Sequence, residues 1–261
     1  MIINLEPNTV YTDRLIIERH QHDPQVVSPL LAMIIRSPSP SSPATIHHVT
    51  SNPYESTVLI NSPAATITLE NVNIRHTSPS IANNFAVQLI NADNVVLSSC
   101  DISSTTGSGV GIEGGSPRLE NCRIHDCARS GVMIFSSLYF DDDDDNGGGG
   151  TVVVRDCVIA GNAQHGILVR DGARPFVLHN RIECSSSNKN SYYAIAIQNA
   201  GGRYRENSIV SGSVAVHLLL GEDGEDDARD IGSANLFVGP REGGGGGGEG
   251  GHVVAAMVGG R

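Results

Sequence analysis

A short phrase recurs along this chain, and it restricts the fold more than any other feature. Asn71-Val72-Asn73-Ile74, Ser99-Cys100-Asp101-Ile102, Asn121-Cys122-Arg123-Ile124 and Asp156-Cys157-Val158-Ile159 are four full copies; Asn180-Arg181-Ile182 and Asn207-Ser208-Ile209 are two trimmed ones. The closing isoleucines fall at 74, 102, 124, 159, 182 and 209, in steps of 28, 22, 35, 23 and 27 residues. A period in the twenties marks a chain of stacked repeats rather than one closed core.

A second phrase runs in step with the first. Phe85–Leu89, Gly109–Ile112, Gly131–Ile134, Gly166–Val169, Ala194–Ile197 and Ser213–Val216 alternate apolar residues at a period of two, which is the strand period. No window carries the helical i, i+3, i+4, i+7 pattern for long enough to form a stable amphipathic helix. Each repeat reads as a short strand, a turn, a second strand carrying Leu97, Leu119, Val154 or Val177, and then the phrase. One such repeat cannot bury its own apolar face, whereas stacked repeats bury a continuous one. Each coil then rises by the inter-strand spacing of about 4.8 Å.

Stacking also aligns corner residues. Two before each closing isoleucine stand Val72, Cys100, Cys122, Cys157, Asn180 and Asn207, a mixed Cys/Asn column. Three after it stand Thr77, Thr105, Cys127, Asn162, Ser185 and Gly212, expected to form a second column of small or hydrogen-bonding residues. Such residues suit a tight bend.

With Leu119-Glu120-Asn121-Cys122-Arg123-Ile124-His125-Asp126 followed by Ser130-Gly131-Val132, the chain resembles the right-handed parallel β-helix repeat proteins of the pectate-lyase-like superfold. In flavour it is closest to the β-helix region of eukaryotic F-box-only proteins. The resemblance covers about residues 58–238. It reaches more loosely to Ile3-Asn4-Leu5-Glu6-Pro7 through Tyr11, where the family's usual first coil precedes a β-run such as Leu15-Ile16-Ile17. It implies an all-β, single-stranded solenoid of about seven to nine coils. It does not fix the chemistry, because this fold hosts lyases, hydrolases, epimerases and pure binding scaffolds.

The expected organisation is 1–57 as irregular first coils with Pro-rich loops, 58–238 as the repeats, and 239–261 as a Gly-rich tail or cap. The detours Arg19–Pro29 and Ser37–Pro43 are loops, since proline removes a ladder donor. The apolar run His252–Val258 is a candidate last strand. The formal net charge is −11. Two insertions carry most of it: Asp141–Asp145, within the acidic and glycine-rich stretch 141–150, and the acidic loop 221–230. The rest is close to neutral, so the acidity argues only weakly for a cationic partner. It argues against a nucleic-acid footprint. The stretch 141–150 reads as a loop; five consecutive aspartates lack the spaced ligands and turning glycine of an EF-hand.

No basic n-region, long apolar h-region or small-residue cleavage site appears, so no secretory signal is expected, and no apolar run is long enough to span a bilayer. The chain begins in mid-stride, which suggests either a fragment or a gene model that lacks an upstream domain. Its five cysteines read as small buried hydrophobes and suggest a reducing compartment, cytoplasm or nucleus. Cys122 and Cys157 stack closely enough for a bridge. Cys127, His125, His165 and His179 lack the paired spacing of a zinc site, so neither a metal nor another cofactor is expected.

The residues that follow the second inward position of each alternating phrase form an outward column: Ile90, Glu113, Phe135, Arg170, Gln198 and His217. Glu113 and Asp171, two coils apart, fall near the upper end of the carboxyl separation of an inverting glycosidase, with Arg170 beside them. His125-Asp126 and His165-Gly166 read as corner hydrogen-bonders. Tryptophan is absent and aromatics make up only 4%, which leaves no stacking platform for sugars. Polygalacturonase-like and pectate-lyase-like signatures, a nucleophile elbow and a phosphate loop are all missing. The expectation is a non-catalytic scaffold that binds a protein through Glu113, Phe135, Arg170, Gln198 and His217. If the F-box-like resemblance holds, that protein is a ubiquitin-ligase substrate, although the chain contains no F-box helices. The alternative is a glycoside hydrolase or polysaccharide lyase with a carbohydrate ligand, using Glu113, Asp171 and Arg170.

Overall fold

The computed structural model describes residues 1–18, 32–79, 84–136, 151–183, 193–210, 214–220, 231–238 and 252–257, the stretches 214–220 and 252–257 by backbone course alone. The insertions at 141–150 and 221–230, Ser185, Gly212, Cys184 and the glycine-rich stretch before His252 lie outside the described residues.

Three parallel sheets wrap one core. The first holds Ile2–Asn4, Ala32–Arg36, Thr66–Glu70, Asn94–Ser98, Arg118–Glu120, Val153–Arg155, Phe176–Leu178 and Arg203–Arg205. The second holds Val10–Tyr11, Ala44–Val49, Val72–Thr77, Asp101–Ser104, Arg123–His125, Val158–Ala160, Arg181–Glu183, Ser208–Val210 and Leu236–Val238. The third holds Leu15–Glu18, Val58–Asn61, Phe85–Ile90, Ser108–Glu113, Val132–Phe135, Ile167–Arg170, Ile195–Gln198, Val214–Leu220 and His252–Met257. The chain visits the sheets in turn. It thus winds a right-handed parallel β-helix of eight complete coils, and two strands belong to a ninth. The register crosses residue 57 without a break, since Leu15–Glu18 pairs with Val58–Asn61. A single helical turn, Ile231–Ala234, precedes the last second-sheet strand.

Each coil therefore has three strands, where the sequence pattern suggested two and a corner phrase. The phrase is itself a strand. Its isoleucine points inward, and Ile74, Ile102, Ile124, Ile159, Ile182 and Ile209 are all fully buried. Facing them are the first-sheet column Leu69, Leu97, Leu119, Val154 and Val177 and the third-sheet pairs Val87/Leu89, Val110/Ile112, Val132/Ile134, Ile167/Val169 and Ile195/Ile197. Each fully buried Ile or Leu contributes about 1.5–3 kcal/mol. In coil 8 the register sets Val216 opposite Ile195 and Leu218 opposite Ile197.

The corners explain the rest of the phrase. Asn71, Ser99, Asn121, Asp156, His179 and Glu206 all have φ between 53° and 57°. The bend from first to second sheet thus uses one left-handed residue, a conformation that Asn and Asp tolerate best. The next residue is the Cys/Asn column, which is buried throughout. The second proposed column holds only in part. Cys127 and Asn162 are buried and joined, Cys127 N–H donating to Asn162 Oδ1 at 3.1 Å. Thr105 is exposed, however, and the buried residues one position earlier are His76 and Ser104, because in these coils the strand runs on to Thr77 and Ser104, whereas in the next two it ends at His125 and Ala160 and a left-handed residue, Asp126 or Gly161, follows. At the bend into the third sheet, a Cβ on Gly131 would stand 2.7 Å from Ile159 Cγ2 and 2.8 Å from Gly166 O, so only glycine lets successive coils close there.

Candidate functional site

The third sheet's outward face carries the expected column. Ile90, Glu113, Phe135, Arg170 and Gln198 stand in one register ladder, each half-buried. His217 does not join it: the backbone register sets His217 opposite Ala196 and Leu219 opposite Gln198. The extra residues of the coil 8 strand displace it by two positions, a shift that alternation alone cannot reveal because it preserves the face.

A neighbouring outward column is apolar except for Gln88: Leu59, Gln88, Gly111, Met133, Leu168 and Ala196. Gly111 is needed there because Phe85 occupies the space over it; a Cβ would lie 2.5 Å from the ring. Together the columns form a strip of Leu59, Ile90, Met133 and Phe135 with two charged residues set into it. Both charges are engaged. Glu113 Oε1 accepts from Gln88 Nε2 at 3.2 Å, and Gln88 Oε1 accepts from Ser56 Oγ at 3.3 Å. Arg170 Nε lies 3.8 Å from Asp171 Oδ2. Glu113 and Arg170 are two rungs apart, with Phe135 on the rung between; this is about 9.6 Å of stacking. Asp171 follows at a left-handed corner with φ 55°.

Two polar clusters were not found from the sequence. On the second sheet's outward face, Arg75 pairs with the Asp101 carboxylate and donates from Nη1 to Asp101 O at 2.6 Å. His125 sits between two acids, with Nε2 2.9 Å from Asp101 Oδ1 and Nδ1 2.6 Å from Asp126 Oδ2. Burial alone would raise the pKa of Asp101, but the His125 hydrogen bond and the Arg75 charge outweigh it and hold it below the usual value. Both His125 nitrogens thus face carboxylates. The cluster ties together coils 3, 4 and 5, which supply Arg75, Asp101 and His125 in turn. Its signal was available: Arg75, Asp101 and His125 flank the inward isoleucines, and they point outward once the phrase is read as a strand.

The second cluster closes the bend after Ala44–Val49. Glu55 accepts from Thr50 Oγ1 and from Asn52 Nδ2 at 3.1 Å, and it lies 3.3 Å from His48 Nε2 and 3.5 Å from Arg14 Nη1. Those hydrogen bonds, Thr50's first, lower its pKa to about 2. Beneath it His76 is buried, with Nδ1 3.4 Å from Thr57 Oγ1 and Nε2 without a hydrogen-bond partner. Burial, then the charges of His48 and Arg14, depress the His76 pKa to about 4.

The described cysteines are free and buried. Cys100, Cys122 and Cys157 touch in sequence along their column. Contact with Cys122 and burial raise the pKa of Cys100. For Cys122 the contact with Cys100 favours the thiolate, but Cys157 and burial outweigh it. Burial lifts Cys127 to about 12. Buried in this way, the thiols pack as small groups of the core. Among the described residues no three His, Cys, Asp or Glu side chains are placed to hold a metal ion, and no helix is long and apolar enough to cross a membrane.

Residues 44–140 match the family described as the right handed beta helix region. That stretch starts in the second-sheet strand of coil 2 and includes the rest of coils 2–5, and the same winding continues beyond it. No curated protein and no solved structure matches the chain.

Proposed function

We propose that this β-helix is a non-catalytic scaffold that binds a polypeptide through the outward face of its third sheet. One observation carries the reading: Leu59, Ile90, Met133 and Phe135 share a half-buried strip with Glu113, Arg170 and Gln198. Apolar and aromatic residues with an arginine are the make-up of protein interfaces. In keeping with it, Glu113 and Arg170 already have partners on the same face. The F-box-like resemblance of the repeat phrases supports a role in substrate recognition for a ubiquitin ligase, and the free buried thiols are in keeping with the cytoplasm or nucleus.

The second reading is a glycoside hydrolase or polysaccharide lyase. The two-rung separation of Glu113 and Arg170 favours it, since Asp171 follows Arg170 at roughly the gap an inverting enzyme needs. The two readings separate in one experiment. Acidic and neutral polysaccharides, assayed for unsaturated ends and reducing sugar with and without calcium, are expected to show no turnover. Partners captured by the folded chain are expected to be lost from the Phe135→Ala/Arg170→Ala variant. Turnover abolished by Glu113→Gln or Asp171→Asn would overturn the scaffold reading. Unchanged capture by the double variant would move the interface off this face.

A further inference from the structure

The coil gathers arginines that the sequence scatters. On the first sheet the outward columns of coils 5–8 are Arg118, Val153, Phe176 and Arg203, and beside them Glu120, Arg155, Leu178 and Arg205. Four of these eight residues are arginine and one is acidic. In coils 1–4 the same two columns hold one arginine, Arg36, and one acid, Glu70.

The single acid is shared. Glu120 lies 2.6 Å from Arg118 Nη2 and 3.1 Å from Arg155 Nη2. Burial works against its charge, but the Arg155 hydrogen bond and the two guanidinium charges prevail, and its pKa is lowered. Arg155 Nε has no hydrogen-bond partner. Arg203 lies over the Phe176 ring at 5.3 Å from its centroid, an arrangement that presents a flat guanidinium on an apolar support. Val153, Phe176 and Leu178 remain partly exposed between the arginines. Of the acids at the adjoining corner, Glu206 lies 3.1 Å from His179.

We infer that this face of coils 5–8 docks an acidic polypeptide segment in which carboxylates alternate with apolar residues. The charge excess calls for an anionic partner, and a guanidinium can take a carboxylate through two parallel bonds. The apolar residues between the arginines select a polypeptide over a phosphate backbone. The spacing fits as well. Arg155 and Arg205 are two rungs apart, about 9.6 Å, and three residues of extended peptide laid along the axis span about 10 Å. Carboxylates at i and i+3 thus meet the two arginines, and the residues between them meet Leu178 and Phe176. This surface lies on a different sheet from the proposed strip, and the inference does not rest on that reading.

The test uses the full chain and two fluorescein-labelled peptides of four repeats, Asp-Leu-Ser and Asp-Gly-Ser, followed by anisotropy in about 0.1 M salt, where the Debye length is about 10 Å. The Asp-Leu-Ser peptide is expected to bind saturably and the glycine peptide at least threefold more weakly. Arg155→Gln with Arg203→Gln should weaken the former at least tenfold. Arg118→Gln with Arg205→Gln serves as an independent pair should the first variant melt early. Absence of saturable binding overturns the inference, as does affinity unchanged in a folded variant pair. Tighter binding of poly-uridylate, lost in the same variants, would make this a general polyanion face and overturn the polypeptide assignment.

Discussion

One corner column, buried up to its last member, changes its chemistry halfway along the helix. In coils 4–6 it is Cys100, Cys122 and Cys157; in coils 7–9 it is Asn180, Asn207 and Asn235. The thiols donate only weakly to first-sheet carbonyls of the preceding coil, to Leu69 O at 3.4 Å, Leu97 O at 3.3 Å and Leu119 O at 3.6 Å. Each amide does two tasks. Asn180 Nδ2 donates to Val154 O at 2.9 Å while its Oδ1 accepts from Cys157 N–H at 2.9 Å, and Asn207 does the same with Val177 O and Asn180 N–H. The difference teaches that the column is selected first for size and burial, while the polar work is carried only where an amide stands. A thiol can replace the donor but not the acceptor.

The most damaging way to probe that contrast is to delete an amide. Asn180→Ala leaves Cys157 N–H and Val154 O buried without these partners, and each lost partner costs about 1–3 kcal/mol. A loss of roughly 3–5 kcal/mol is expected from urea unfolding. Cys122→Ala removes one weak donor and a small volume, for about 1 kcal/mol. Equal midpoint shifts for the two variants would dissolve the distinction between the halves.

The other bend offers a titrating counterpart to this neutral column. His76 has its folded pKa depressed to about 4, so the unfolded chain binds the proton more tightly. Its contribution is therefore complete above about pH 6.5 and is lost as pH falls towards 4. The shift corresponds to about 3 kcal/mol as an order of magnitude. Glu55, lowered to about 2, adds a further loss from about pH 4.5 down to 2, reduced by screening because its side chain is 26% exposed. Arg14 and Glu55 are the charged groups and His48 and His47 the titratable ones acting on His76. Urea midpoints should fall between pH 7 and 4.5 in the parent and much less in His76→Gln. A parallel fall in the variant would show that another group carries the acid sensitivity.

Exchanging residues between the halves has a smaller and asymmetric effect. Cys157→Asn extends the amide ladder by one coil, giving Cys122 N–H an acceptor and Leu119 O a stronger donor, so stability should hold or rise by about 1 kcal/mol. Asn180→Cys keeps a donor but takes the acceptor from Cys157 N–H, and should lose about 1–2 kcal/mol. Losses of equal size from both exchanges would mean that each half is fitted by shape alone.

Much of this was legible because a solenoid repeats its own evidence. The closing isoleucines, the alternating pairs and the Cys/Asn column each recur often enough for stacking to follow from spacing, and the inward residues follow from alternation. The third strand was hidden because its copies span only three or four residues in coils 4–8, too few for alternation to stand out from a turn. With that strand unread, His125 read as a corner hydrogen-bonder, and nothing marked Arg75 and Asp101 as its outward neighbours. The site column was legible as far as Gln198 and failed at His217, where a two-residue shift leaves the outward parity intact. The arginine face was illegible for a different reason: Arg118, Arg155, Arg203 and Arg205 meet only after coils of unequal length have been counted in register.

The left-handed residue before the column sets the smallest test. Asn71, Asn121 and Asp156 hold φ of 55° in the early coils, whereas His179 and Glu206 hold 57° in the later ones. For an ordinary L-residue that conformation costs about 1–2 kcal/mol, and an Asn side chain offsets part of it by bonding locally. Ser99 in coil 4, at φ 53°, and the two amide-ladder bends at His179 and Glu206 lack that Asn or Asp side chain. Glu206→Asn should relieve that strain and forfeit the exposed His179–Glu206 pair, worth a few tenths of a kcal/mol at most. A net gain of about 0.5 kcal/mol should appear as a higher urea midpoint with unchanged slope. The reverse change in the early half, Asn121→Glu, should lose a similar amount. A lower midpoint for Glu206→Asn would mean that the amide ladder, by fixing the bend, already removes the preference of the residue before it.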